Sequence, residues 1–261
     1  MMENGRRLSR RRRAVVILGA LIAIMAAVAV ASGWLRDDAS LGPSTPPEQI
    51  AAAFDKDMTS TPALAPWREA MQADFPALYG QMRRAFVGRI QAGDGKAEAM
   101  DAALQTAGAY RRLHQGAVLQ ASEATLTALA AENLKAMNLF RSSTDDVCAR
   151  YVMTGNVPNG SPGQLLAVAR RGALTLRAIH EGETAPVDRP PLSVEEAGRF
   201  KAALLAKGLS PDLARRVFEG GLDQLSTADQ CKVGKGIVDA LATVPAPLAA
   251  KVTAALTATM S

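Results

Sequence analysis

The chain has 261 residues, of which 48% are apolar and 4% aromatic, with two cysteines and two histidines. This composition excludes a disordered, collagen-like or disulfide-dense scaffold protein. The net charge of +5 comes from the N-terminus, because removing the six arginines of residues 6–13 and Glu3 leaves 24 basic and 24 acidic residues. The rest of the chain lacks the basic excess of a nucleic-acid-binding surface, so we expect no nucleic-acid partner.

An uncharged apolar segment of 22 residues, 14–35, follows directly after the arginine cluster. As a helix rising about 1.5 Å per residue, it spans about 33 Å, close to the thickness of a bilayer's hydrocarbon core. Positive charge before the segment favours a cytoplasmic N-terminus. We therefore predict a basic tail at 1–13 and a signal-anchor at 14–35, with membrane lipid as a partner. The residues assigned to the anchor are Arg10, Arg11, Arg12, Arg13 and Trp34.

A cleaved signal peptide is the alternative interpretation of the same segment, because Ala29-Val30-Ala31 before Ser32 has the small-residue form of a cleavage site. The apolar cores of signal peptides usually run about 7 to 15 residues. Here 18 uncharged residues precede Ser32, which favours the anchor. The predicted location is therefore the inner membrane, single-pass, with the body in the periplasm; the alternative is a secreted or periplasmic form cleaved at Ala31.

A proline-rich polar linker, 36–47, separates the apolar segment from the body. The body is rich in alanine and lacks β-branched runs, and helix stop signals recur along it. We predict an all-α fold, an irregular bundle of about nine or ten helices behind the transmembrane helix. The glycine- and proline-rich loop 154–163 favours a division into two helical subdomains, 48–155 and 156–261.

Apolar residues at spacing four predict one helix especially clearly: Leu78, Met82, Phe86 and Ile90. Two longer segments, 96–120 and 122–140, are predicted to form helices that pair antiparallel. Asn133 interrupts the apolar face of the second segment, and we expect it to fix the helix register.

The pattern Ser-Thr-x-Asp-x-Cys occurs twice, at 143–148 and at 226–231. A serine that accepts a backbone N–H, with an acid three residues later, is typical of a helix start. We therefore predict that Ser143 and Ser226 are N-caps. Both cysteines then lie in the second turns of their helices.

Cys148 and Cys231 are expected to form a disulfide if the chain is exported, because they are its only cysteines. Closing a loop of 83 residues is worth about 4 to 5 kcal/mol on the chain-entropy model. Two buried free thiols, or a reactive thiol at a helix N-terminus, are the alternatives. Asp146 and Asp229 oppose thiolate formation, and the chain has no C-x-x-C motif, so redox catalysis is disfavoured.

The sequence predicts no metal or cofactor site. His114 and His180 lie 66 residues apart, and no H-E-x-x-H motif occurs. His114 has helical spacing from Tyr110 and Val118, which favours an interhelical hydrogen bond, and His180 suits a helix C-terminus. The methionines fall mostly on apolar faces, which indicates core filling rather than copper binding.

No nucleophile elbow, phosphate-binding loop or dinucleotide fingerprint occurs, so we predict that the protein is not an enzyme. The leading hypothesis is a non-enzymatic, membrane-anchored periplasmic protein that acts as a scaffold or interaction module for an envelope protein partner. One alternative is a periplasmic chaperone or carrier that binds a lipid or peptide in an apolar groove. The other is an envelope hydrolase that uses a carboxylate such as Glu123 or Glu132.

Overall fold

The computed structural model describes residues 41–155 and 160–259. These residues form eleven α-helices and no strand, which confirms the all-α prediction. The expected count of about nine or ten helices was therefore slightly too low. The predicted tail, signal-anchor and anchor residues (Arg10, Arg11, Arg12, Arg13 and Trp34) lie outside the described residues. Among the helices that are described, none has both the length and the apolar character needed to span a bilayer.

The helices are numbered in chain order. The first six are α1 (Pro47–Ser60), α2 (Ala65–Asp74), α3 (Pro76–Gln91), α4 (Lys96–His114), α5 (Glu123–Phe140) and α6 (Asp145–Thr154). The other five are α7 (Pro162–Thr184), α8 (Val194–Ala206), α9 (Pro211–Glu219), α10 (Thr227–Leu241) and α11 (Ala246–Thr259). Short 3₁₀ segments occupy three of the connections, at Pro62–Leu64, Gln115–Gln120 and Leu222–Gln224.

Serine starts five of these helices, because its hydroxyl accepts a backbone N–H that would otherwise lack a partner. The capping residues are Ser122, Ser161, Ser193, Ser210 and Ser226. The prediction for Ser226 is therefore confirmed, but that for Ser143 is wrong. The N-cap of α6 is Thr144, and the Ser143 hydroxyl instead accepts a hydrogen bond from Gln164 Nε2 at 3.4 Å. Ser143 thus contacts the first turn of α7.

The helix pairing also differs from the sequence prediction. α4 packs mainly on α3, and α5 packs mainly on α7. The predicted antiparallel pair of 96–120 with 122–140 is wrong, because α4 ends at His114. The 3₁₀ segment Gln115–Gln120 then packs against α7 and α11, which separates the two helices that the sequence placed side by side.

Buried side chains form three clusters. The first is built on α1 to α4 and includes the predicted stripe from Leu78 to Ile90, but it also contains Ile179 of α7 and Ala250 of α11. The second joins α8 to α11 around Phe200, and the third surrounds the cysteines. Helices on both sides of the predicted subdomain boundary thus share the first cluster. The division into 48–155 and 156–261 stays a prediction.

Candidate functional site

Cys148 of α6 and Cys231 of α10 form a disulfide, with their Cα atoms 5.3 Å apart. The two residues are only 0% and 1% exposed. Phe140, Tyr151 and Val238 pack around them in the third buried cluster. The pairing predicted from the sequence is therefore present, and the alternatives of free or reactive thiols are wrong.

A pocket of about 60 Å³ lies beside this disulfide. One wall comes from the two helices that the disulfide joins, through residues such as Tyr151, Val152 and Ile237. The other walls come from α5, α7 and α11. The residues that these three helices contribute are Asn133, Met137, Arg171, Thr253, Leu256 and Thr257. The pocket is thus mostly apolar, with a few polar groups.

Arg171 is the single charged residue that lines the pocket. Its guanidinium carbon lies 5.6 Å from the centre of the Tyr151 ring, which is a cation–π geometry. On its other side is Gly155, where a Cβ atom would come within 2.1 Å of Arg171 Nη1. Gly155 also ends α6 with a positive φ of 69°, a conformation that glycine adopts without strain. The end of α6 therefore lies close to the guanidinium.

Thr253 of α11 supplies an unusual polar group to the same pocket. It is 2% exposed, and among the described residues its hydroxyl has no hydrogen-bond partner. Buried polar groups are normally paired, because an unpaired one keeps its full desolvation cost. Asn133 also lines the pocket. The residue that the sequence suggested as a register device therefore lies beside a cavity.

A second polar cluster joins the end of α4 to the end of α7. His114 Nδ1 hydrogen-bonds to Glu183 Oε1, and Tyr110 donates to Glu183 Oε2 at 3.2 Å. The rings of Tyr110 and His114 stack with their centres 3.9 Å apart. The interhelical hydrogen bond expected for His114 is present. Within the described residues no hydroxyl or thiol is hydrogen-bonded to His114, so the geometry of an activated nucleophile is not found there.

Glu181 ties α7 to the start of α5. Its Oε2 accepts hydrogen bonds from Ser122 Oγ at 2.7 Å and Ser122 N at 3.1 Å, and its Oε1 accepts one from Thr125 Oγ1 at 2.7 Å. Burial raises the pKa of this carboxyl, but the hydrogen bonds and the nearby Arg177 outweigh burial and leave its pKa lowered. Glu181 is therefore a structural carboxylate in its ionised form.

Three large apolar side chains are exposed near this joint: Leu113, Leu119 and Val187, at 81%, 45% and 42%. The backbone at Val187 is joined to the backbone next to Leu119, because Val187 N donates to Gln120 O at 2.8 Å. Arg189 donates to the carbonyls of Leu119 and Ala121, both at 2.8 Å. Leu113, Leu119 and Val187 are called the apolar edge below.

The carboxylates suggested for a hydrolase lie elsewhere. Glu123 is exposed in the first turn of α5, and Glu132 is 7% exposed with Oε2 3.3 Å from Lys135 Nζ. Neither lines the pocket. In residues 41–155 and 160–259 there is also no group of three or more His, Cys, Asp or Glu side chains placed to hold a metal ion.

Sequence reasoning missed Arg171 and Thr253 as pocket residues. The one local signal for a close contact was Gly155, since a glycine just beyond a helix lets another part of the same chain approach the backbone closely. No protein-family model, curated protein or solved structure matches the chain. Its functional assignment therefore depends on the disulfide, the pocket and the apolar edge.

Proposed function

We propose that this protein is a non-enzymatic, membrane-anchored periplasmic protein whose helical body acts as an interaction module for another envelope protein. One combination carries the proposal: an arginine-flanked apolar segment at 14–35 precedes a body whose only two cysteines form a disulfide. Disulfides persist in oxidising compartments and are rare in the cytosol. Export of the body accounts for both features together.

The apolar edge is the proposed contact surface for the envelope partner. Its three side chains are exposed, so their apolar area is available for burial against a second protein. The backbone near Leu119 and Val187 is fixed by Arg189 and by the hydrogen bond between Val187 and Gln120. A surface that is already ordered loses less conformational entropy on binding. Leu113, the most exposed of the three, is the expected centre of the contact.

The two alternatives have weaker support. A carrier for a lipid or peptide needs a groove, whereas the pocket measures about 60 Å³ and ligand sites usually measure about 300 to 1,000 Å³. A hydrolase acting through Glu123 or Glu132 needs that acid in a cleft, and neither residue lines the pocket. The interaction module therefore remains the preferred function.

Site-specific photo-crosslinking in intact cells tests the proposal. A photoreactive residue replaces Leu113 in the full chain, and a matched variant carries it at Val194, an apolar residue that is 93% exposed at the start of α8. We expect a discrete protein adduct from position 113, recovered with the membrane fraction, and no such adduct from position 194. Identical products from both positions, or no adduct at position 113, would contradict the proposed contact surface.

A further inference from the structure

Arg171, which lines the pocket, and Arg111 of α4 have no ion-pair partner among the described residues. The charge of Arg171 acts on Arg111. Burial lowers the pKa of Arg111 most, and the charges of Arg171 and Arg112 lower it further. An arginine that lines a pocket and forms no ion pair can offer its charge to an anionic ligand.

The pocket supplies hydrogen-bonding groups next to that charge. The Thr253 hydroxyl is buried without a partner among the described residues, and the Asn133 amide lines the same cavity. Both groups can donate a hydrogen bond to an oxygen. A carboxylate accepts hydrogen bonds at each of its two oxygens and forms charge-assisted bonds with a guanidinium. The donors and the charge thus match one carboxylate.

Most of the remaining lining is apolar. It includes Met137, Val152, Ile237, Leu241 and Leu256, and no acidic residue lines the pocket. Glu132, which adjoins Asn133 in α5, contacts Lys135 instead. The volume of about 60 Å³ is below the roughly 150 Å³ of a cavity that holds benzene. The space inside the pocket therefore suits a short alkyl group beside the carboxylate.

We propose that this pocket binds a short-chain monocarboxylate of about two to four carbon atoms, with its carboxylate on Arg171 and the Thr253 hydroxyl and its alkyl end among the apolar residues. Inorganic phosphate fits less well, since the lining is mostly apolar and supplies one charged residue, Arg171. The proposal is independent of the apolar edge and of the location of the protein.

The test measures binding of sodium butyrate to the full chain in detergent by calorimetry, with butyramide, acetate and phosphate as comparison ligands. Butyrate is expected to bind saturably, and butyramide and phosphate are not. Acetate lacks two methylenes, so its affinity is expected to be about 15-fold lower. Absence of saturable butyrate binding, or equal binding of butyramide, would overturn the proposal.

Two variants and one matched control locate the site. Arg171→Gln is expected to reduce butyrate affinity at least about tenfold, while Arg170→Gln, which removes the neighbouring exposed charge, leaves it unchanged. Thr253→Val keeps the side-chain shape and is expected to weaken binding several-fold, so it tests the site if the Arg171 variant does not fold. The proposal is refuted if the Arg170 and Arg171 variants bind butyrate with equal affinity. It is also refuted if folded Thr253→Val binds butyrate with the affinity of the wild type, because butyrate would then bind elsewhere.

Discussion

Gly234 of α10 lies so close to Val152 of α6 that a Cβ atom on the glycine would come within 2.1 Å of Val152 Cγ2. The contact is about one helical turn beyond the disulfide, since Gly234 follows Cys231 by three residues and Val152 follows Cys148 by four. The glycine and the disulfide thus hold α6 and α10 together at successive turns. This pair of helices forms one wall of the pocket.

Gly234→Ala is expected to lower the free energy of unfolding by about 1 to 3 kcal/mol, because the added methyl group forces two packed helices apart. Urea denaturation measures the change. Gly198→Ala is the control, since Gly198 lies inside α8 and a Cβ atom there would meet nothing within 4 Å. That control is expected to stabilise the protein by about 0.4 to 1 kcal/mol. Similar effects at both positions would show that α6 and α10 are not in tight contact.

Removing the disulfide by the double change Cys148→Ala and Cys231→Ala is expected to cost about 2 to 5 kcal/mol, because it frees a long loop in the unfolded chain. The native disulfide should also resist reductant in the absence of denaturant, since both residues are buried. Denaturation curves with and without reductant measure the first effect, and thiol labelling over time measures the second. Unchanged stability of the double variant would contradict this role.

Glu181→Gln is expected to reduce stability most at neutral pH. The folded pKa of Glu181 is lowered from the ordinary value of 4.5, so the ionised carboxylate stabilises the fold above that pH. This contribution is lost as the pH falls through the folded pKa. The difference between wild type and variant should therefore shrink below about pH 4.5. Thermal melts across acid pH measure it, with Glu123→Gln, an exposed acid in the first turn of α5, as the control.

All three tyrosines of the chain are expected to resist ionisation. Burial, then Asp55, raises the pKa of Tyr79 to about 12. Burial and then the charge of Glu183 raise the pKa of Tyr110. Burial also raises the pKa of Tyr151, because its effect is larger than the opposite effect of the nearby Arg171. Their contribution to stability is full below pH 10, the ordinary tyrosine pKa, and is lost as the pH rises through the folded pKa values.

Ultraviolet absorbance of the phenolate tests this expectation. The native protein should show no tyrosine ionising at its ordinary pKa, whereas the chain in denaturant should show all three doing so. A native titration with a full tyrosine equivalent near pH 10 would contradict the burial and contacts of at least one ring.

The sequence predicted features that depend on local spacing. The stripe from Leu78 to Ile90 is buried because residues four apart lie on one face of a helix. The pairing of Cys148 with Cys231 followed from their being the only two cysteines, together with the expected export of the chain. Such features need no knowledge of which helix packs on which.

Features that depend on the packing partner were not predictable. Alanine-rich apolar faces fit several neighbours, so the sequence did not indicate that α4 would pack on α3 rather than α5. The pocket forms only where Asn133, Arg171 and Thr253 converge from three helices, α5, α7 and α11. Ser143 shows the same limit, because its contact with Gln164 replaced the expected cap.

The redox state of Cys148 and Cys231 in intact cells tests the central claim most directly. Cells that contain the full chain are quenched and denatured in acid, and free thiols are then alkylated before and after reduction. If the helical body lies in an oxidising compartment, neither cysteine is alkylated until reductant is added, and both are alkylated afterwards. Alkylation of both cysteines without reductant would place the body in a reducing compartment and contradict its export.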